Sequence, residues 1–520
     1  MSELKITYKN ILGILSKNNL LIEHNITNQK LNEEIEFISH DSRDIIKNTL
    51  FFCKGFHFKE EYVIDALKKG AVCYCSENKF DLKDFECGYI IVSNILRTIA
   101  LIAPLYYNYV YKNLELTGVT GTKGKTTTTH FIKNILDEFT KSKTGISSNI
   151  EKYTGKRSEE AHLNTPEPCD LQLYFYEAYK SDIKYFTMEI SSQAYKRDRV
   201  YGIKFDNGIF LNIAEDHISP AEHENFDDYL NCKLEFLRNC SNVVINRETD
   251  CFEQVFKAAQ SSETLQRITL YGSEKIKDKC DYYYTDIKRT GNLLRFRAKS
   301  DKYNYSQEFY IKIPGLFNIE NAMAAIIMCK TLKIEIDDES IRRGLALTSV
   351  PGHMDILDNG DITVIVDYAH NLLSFTKLYE SIELDYAGRK IISVGGSPGE
   401  KAFKRRKDFA DVVGKKSDYI YLTAEDPQFE DVVKICEEMA GYMTDAKYEI
   451  IPDRGEAVKK AINEANSGDV IIVLGKGAEE YQKINGSPEF YESDYKIAMK
   501  TLAERDSEKY KNQKERKFNE

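Results

Sequence analysis

The stretch Leu-Glu-Leu-Thr-Gly-Val-Thr-Gly-Thr-Lys-Gly-Lys-Thr-Thr-Thr-Thr-His, from Leu114 to His130, restricts what this chain can fold into more than any other. Apolar residues lead into a loop with glycines at Gly118, Gly121 and Gly124. Lys125 and Thr126 follow, and then Phe131, Ile132, Ile135 and Leu136 recur at helical spacing. That order predicts a strand, a phosphate-binding loop and a helix. Glycines let successive backbone N–H groups converge on phosphate oxygens, and the helix aims its positive end at the same anion. Lys125 is then expected to reach the terminal phosphates, and Thr126 to offer its hydroxyl to Mg²⁺. The usual spacing between the glycines is not met strictly, so Gly124-Lys125-Thr126 carries most of the signal.

Length and composition set the frame. A chain of 520 residues has room for about three domains of ordinary size. The hydrophobic fraction of 42% and charged fraction of 30% suit a globular protein. A net charge of −10 argues against a nucleic-acid groove. The chain start lacks the apolar core of a signal peptide, and no run of about eighteen apolar residues occurs, so a cytoplasmic location without membrane insertion is expected. The eleven cysteines form no Cys-x-x-Cys pair, which suggests neither a disulfide framework nor a zinc site.

Taken in order, residues 1–110 read as a small α/β unit. It has strands at 49–53, 71–75 and 89–92, a helix at 60–69, and a further helix capped by Asn94. Residues 111–345 read as a larger α/β unit opened by the phosphate loop, with strands at 185–190 and 207–212 and a hairpin-like region at 280–312. Residues 346–505 form a third α/β unit whose four apolar runs (364–370, 391–396, 419–422 and 469–477) alternate with helical segments and predict a parallel sheet covered on both faces. Residues 506–520 are a charged tail, read as a frayed helix end or a disordered tip. Beyond the carboxyl ends of the strands, Glu189 and Asp216-His217 are expected to converge on the phosphates that Lys125 holds.

Several motifs then occur in one family's order. They are Asp41-Ser42-Arg43, the loop Thr120 to Thr127, Met188 to Ser192, Glu215-Asp216-His217 with Tyr229 and Lys233, Gly315 to Asn321, Asp367-Tyr368-Ala369-His370, and Gly475-Lys476-Gly477 with Tyr481-Gln482. Over about 450 residues the chain resembles the Mur ligases, and within them the branch that builds the UDP-muramoyl tripeptide. The resemblance implies a three-domain architecture: an N-terminal domain for the UDP substrate, a central P-loop ATPase domain and a C-terminal Rossmann-like domain for the amino acid. It implies ligation through an acyl phosphate, in which ATP phosphorylates the D-Glu side chain of UDP-MurNAc-L-Ala-D-Glu and an amino acid's α-amine displaces the phosphate. Small-molecule substrates and a monomer are expected.

By the same resemblance, Gly121, Thr122, Lys123, Gly124, Lys125, Thr126 and Thr127 bind ATP, with Asn318 and Asn321 near the adenine and Asp367 and His370 contributed by the third unit. Thr126, Glu189 and His217 would hold Mg²⁺. Lys233 matches a lysine that is carbamylated in many members. Ser42, Asn164, Thr165, Ser192 and Arg199 match positions around the UDP substrate. The amino-acid side comprises Lys401, Glu425, Asp426, Gln428, Gly475 and Glu479. Where diaminopimelate-adding members have Asp-Asn-Pro-Arg, this chain has Glu425-Asp426-Pro427-Gln428; without the arginine fork the pocket is acidic and favours a side-chain ammonium, L-lysine or ornithine over meso-diaminopimelate. Ala478, and Ala214 to Ile218 with Glu222-His223, agree with lysine-adding members. His353 and Lys401 stand where arginines are usual. Folylpolyglutamate synthetase, which lacks the N-terminal unit, and a regulatory protein that has lost catalysis are the competing readings.

Overall fold

The computed structural model describes the chain apart from residues 1–3, 56–57, 83–84, 160–163, 217, 220–221, 291–292, 351, 353 and 520, and apart from the side chains of 507–519. Three principal sheets appear in chain order. The first has five strands, all parallel except the edge strand Leu21–His24. Its helix Glu60–Lys69 stops at Gly70, whose φ of +120° a side chain would resist. Asn94 caps the helix Ile95–Tyr106 by accepting from the N–H of Arg97.

The second sheet has eleven strands. Glu115–Thr120, which leads into the phosphate loop, lies between Tyr185–Glu189 and Phe205–Phe210, parallel to both. A strand with a neighbour on each side is buried along its length, and Leu116, Thr117, Val119 and Thr120 are all buried. The stretch expected as a hairpin is instead a three-stranded antiparallel extension of this same sheet, Tyr282–Thr290, Leu293–Ser300 and Tyr305–Ile311. The helix Phe317–Thr331 packs behind it with eleven buried residues and no polar face, so it runs through the core.

The third sheet has six strands, with Thr363–Asp367, Val470–Leu474, Ile391–Gly395 and Tyr419–Leu422 running parallel. These are the four runs expected from the sequence. An antiparallel edge strand, Asp355–Asp358, and a parallel one, Tyr448–Ile450, complete it. The charged tail belongs to one helix, Asp494–Asn519. Among the described residues no helix is long and apolar enough to cross a membrane.

The sheets are joined by polar contacts. Lys54 reaches Glu167 at 2.6 Å and Arg97 reaches Asp198 at 3.3 Å, linking the first sheet's layer to the second. Asp216 links the second and third: it accepts from Asn371 Nδ2 at 2.5 Å and from Arg405 at 2.8 Å.

Candidate functional site

The helix Lys125–Thr140 begins at Gly124, whose φ is +85°. A Cβ there would come within 2.2 Å of Asn321 Oδ1. Glycine at this position therefore serves two needs, the left-handed turn and the close seat of Asn321. Asn321 Nδ2 donates to Asn318 Oδ1 at 2.9 Å, and Asn318 Nδ2 to the carbonyl of Pro314 at 2.5 Å, so both asparagines expected near the adenine are fixed against the loop.

Lys125 folds over the loop and donates to the carbonyls of Gly121 and Thr122 at 2.9 and 3.0 Å. Burial holds its ammonium below the usual range, opposed by Glu189 and Asp216. Thr126 Oγ1 lies 2.8 Å from Glu189 Oε1 and 3.0 Å from Asn149 Oδ1, and the N–H of Asn149 donates to the same carboxylate oxygen. Glu189 is fully buried, and burial pushes its carboxyl up. Three hard oxygen ligands on one spot, one of them an anion held out of water, suit Mg²⁺. His217, expected as a further ligand, lies outside the described residues, as does His353.

Lys123 crosses to the third unit. Its Nζ lies 2.9 Å from His370 Nε2, while His370 Nδ1 donates to the carbonyl of Tyr368 at 2.7 Å. Burial lowers Lys123 to about 7, with Asp216 opposing and Arg405 and Lys125 reinforcing. Burial likewise holds His370 well below the usual imidazole value, aided by Lys123 and Arg405, so its neutral ring accepts from the lysine. Asp367 takes the N–H groups of Ala369 and Met354, each at 2.7 Å, and burial raises it to about 6. Asp216, expected to face the phosphates, lies 3.8 Å from Lys123 Nζ and is also engaged by Asn371 and Arg405.

Lys233, on the helix Phe226–Leu237, is buried and donates to the carbonyl of Gly121 at 2.9 Å. Burial and the neighbouring Lys125 push its ammonium far below the usual range. It sits 4.8 Å from the ring centre of Tyr229, whose hydroxyl lies 3.0 Å from Thr122 Oγ1.

Two cavities meet across the phosphate loop. One, of about 350 Å³, is lined by Lys123, Gly124, Thr126, Thr127, Asn318, Asn321 and Asp367. The other, of about 180 Å³, is lined by Thr122 to Thr126, Asn164, Glu189, His370, Lys401, Glu425, Asp426, Gly475 and Glu479. Lys123, Gly124, Thr126 and Tyr368 belong to both.

The acidic character expected of the second cavity is partly neutralised. Lys476 is buried and donates to Asp426 at 2.9 Å and Glu479 at 2.5 Å, and Tyr368 also donates to Glu479. Glu425 is raised to about 7, first by burial and then by Asp426, against the pull of Arg405 and Arg454. Gln428 does not line this cavity: it pairs through its backbone with Lys483 and Asn485 and faces a separate hollow of about 770 Å³. Lys476 and Arg405 were missed in the sequence, the first because it stood inside a glycine motif read for its backbone, the second because its partner Asp216 lies 189 residues away.

The residues expected around the UDP substrate are divided. Thr165 Oγ1 donates to the carbonyl of Glu189 at 2.9 Å, Asn164 reaches the Glu189 carboxylate at 3.5 Å, and Arg199 is held by Glu167 and the carbonyl of Thr165. Ser192 opens the short helix Ser192–Lys196 just beyond them. Ser42 lines neither cavity, and its carbonyl accepts from Lys69 in the first unit.

A phosphate loop walled on one side by its own sheet and on the other by a Rossmann-like unit, with a second pocket adjoining the loop, fits an ATP-dependent ligase. The chain belongs to the Mur ligase family. Residues 119–329 match the Mur ligase middle domain and residues 352–477 the Mur ligase glutamate ligase domain. A UDP-N-acetylmuramoyl-L-alanyl-D-glutamate–L-lysine ligase of Enterococcus faecalis is 39% identical, covering 89% of this chain and 91% of its own. A UDP-N-acetylmuramyl-tripeptide synthetase of Ligilactobacillus salivarius is 36% identical over 93% of this chain and 98% of its own. The solved structure of a UDP-N-acetylmuramoyl-L-alanyl-D-glutamate–2,6-diaminopimelate ligase superposes with a TM-score of 0.64 at 20% identity, covering 96% of this chain and 99% of that one, and so shares its fold.

Proposed function

We propose that this chain is the ligase that joins L-lysine to the D-Glu side-chain carboxylate of UDP-MurNAc-L-Ala-D-Glu, consuming ATP, in the synthesis of a peptidoglycan precursor in the cytoplasm. The observation that carries the reading is the meeting of two cavities across Lys123, Gly124 and Thr126. A nucleotide in the larger one places its terminal phosphate where the smaller one begins. Support for lysine comes from Glu425, Asp426 and Glu479 and from the Enterococcus faecalis relative.

The chemistry follows from the charges. A carboxylate oxygen attacks the γ-phosphorus, the bond to the β-phosphate oxygen breaks, and ADP leaves. The lysine α-amine then attacks the acyl carbon, the bond to the phosphate oxygen breaks, and the amine's proton leaves with the departing phosphate. Lys123 and Lys125 stabilise the charge that moves onto the leaving oxygens, and the buried walls keep water from the acyl phosphate. Mg²⁺ held by Thr126 and Glu189 would neutralise the polyphosphate. Among the described residues Asn149 joins that set, while the part of His217 rests on family resemblance.

Lys233 is read as the carbamylated lysine. Adding CO₂ requires a neutral amine, and the burial of Lys233 beside Lys125 favours that form. The carbamate is an anion and would balance the two lysines of the loop. Asp41-Ser42-Arg43 and the first sheet are assigned to the uridine end, and Lys401 with Arg405 to the α-carboxylate of the amino acid.

The test is isotopic. With ¹⁸O in the D-Glu side-chain carboxylate, one labelled oxygen should appear in the phosphate released by the purified enzyme with ATP and L-lysine. Unlabelled phosphate would contradict an acyl-phosphate route.

A further inference from the structure

Three side chains stand in line beside the site. Ser192 Oγ lies 2.9 Å from His223 Nε2, and His223 Nδ1 lies 2.9 Å from Asp228 Oδ2. His223 is fully buried and Ser192 nearly so. The same Asp228 oxygen takes the ammonium of Lys196 at 2.8 Å. The ring of Tyr229 packs edge-on against the imidazole, with centroids 5.3 Å apart. Nothing in the reaction as derived above uses this line.

One of its hydrogens is fixed by the charge beside it. A carboxylate paired with a lysine is ionised and can only accept, so His223 Nδ1 carries the proton facing it. When the imidazole is neutral its lone pair lies at Nε2, and the Ser192 hydroxyl donates to it. With its only hydrogen committed, Ser192 can meet a ligand solely as an acceptor. The partner it fits is an N–H or O–H group.

The position of the serine points to which ligand. Ser192 follows the carboxyl end of the strand Tyr185–Glu189, where ligands of open parallel sheets bind. Its neighbour Ser191 touches Thr165, which holds the carbonyl of Glu189. Glu222, adjacent to His223, lines the smaller cavity. The helix Phe226–Leu237 carries Asp228, Tyr229 and Lys233 together, and through Tyr229 and Thr122 it also fixes the phosphate loop. One helix thus sets the serine and the phosphates in a common frame.

We propose that His223, held as the neutral imidazole by Asp228, is a positioning residue that fixes the Ser192 hydroxyl as an acceptor for a peptide N–H of the nucleotide-linked substrate. This rests on the reading of the chain as a ligase acting on UDP-MurNAc-L-Ala-D-Glu.

The experiment compares wild type, Ser192→Ala, His223→Ala, His223→Gln and the double alanine variant in steady state, with thermal melts to check folding. Each single alanine variant should raise KM for UDP-MurNAc-L-Ala-D-Glu about five- to twentyfold, the value of one hydrogen bond, and leave kcat and the KM values for ATP and lysine near wild type. The double variant should be no worse than Ser192→Ala alone, and His223→Gln, whose amide oxygen can accept from Ser192, should recover part of the loss. A His223→Ala enzyme with unchanged KM, or a double variant whose losses multiply, overturns the proposal while leaving the ligase reading intact. Wild type inert towards this substrate overturns that reading. For that case, and should His223→Ala fail to fold, ¹⁵N spectra of the wild-type imidazoles, assigned by His223→Gln, decide: Nε2 of His223 should be unprotonated at pH 7.5, and a proton there overturns the proposal.

Discussion

The Nζ of Lys123 lies 2.9 Å from Nε2 of His370, although 247 positions separate them in the chain. The phosphate loop and the third unit are therefore in direct contact. Because the lysine is lowered to about 7 by burial, it is largely neutral at pH 8 in the free protein. A bound polyphosphate restores its charge. ATP binding should take up close to one proton at pH 8 and much less at pH 6, and affinity should fall by about tenfold per pH unit above 7.5. Calorimetry in two buffers of different ionisation enthalpy measures the uptake, and no uptake at pH 8 would refute the assignment.

Gly124 and Asn321 cannot both be kept if a methyl is added. Gly124→Ala should cost about 1 kcal/mol from the positive φ alone, and more as Asn321 is displaced. The KM for ATP should rise at least about tenfold, and the melting temperature should fall. A Gly124→Ala enzyme with unaltered ATP kinetics would show that the seat of Asn321 is immaterial.

Lys125→Ala and Lys233→Ala should each abolish ligation. If the Lys233 carbamate forms, a short carboxylic acid should restore part of the activity of Lys233→Ala and none of that of Lys125→Ala. Activity of the wild type should also fall in CO₂-depleted buffer and return with bicarbonate. Rescue of neither variant, with no CO₂ dependence, removes the carbamate from the account.

Glu425 is raised to about 7 by burial, so it gains its charge between pH 6 and 8. A lysine side chain binds the charged form better. The KM for L-lysine should fall as pH rises through this window, and Glu425→Gln should flatten the profile. An unchanged profile in the variant would move selection elsewhere.

The buried Lys476 holds Asp426 and the partly buried Glu479, and removing it leaves both carboxylates without their cation. Lys476→Ala should lose about 3 to 5 kcal/mol of stability, visible in denaturant unfolding. A loss under about 1 kcal/mol would mean that water already reaches the pair.

The sequence carried the phosphate loop, the four parallel runs of the third sheet and the helix Glu60–Lys69, because each is set by residues a few positions apart: glycines and a lysine, alternating apolar runs, a terminal glycine. It did not carry the contacts that close the site. Asp216 with Arg405, Lys123 with His370, and Ser192 with His223 join residues between 31 and 247 positions apart, and no local pattern marks them. The acidic pocket was legible as charge, but its internal lysine was not. Gln428 was read as a selector from its place in a motif, whereas its backbone pairing with Lys483 and Asn485 turns it towards another hollow. On that geometry we propose that selection between diamino acids rests on Glu425 and the Lys476 cluster.

Phosphate release by the purified enzyme, with ATP and UDP-MurNAc-L-Ala-D-Glu and each of L-lysine, L-ornithine and meso-diaminopimelate, tests the central claim most directly. The account predicts release that depends on all three substrates and strongly favours L-lysine, with the tripeptide product identified by mass. A preference for meso-diaminopimelate would contradict the reading of the acidic cavity, and no release with any of the three would contradict the assignment of the acceptor.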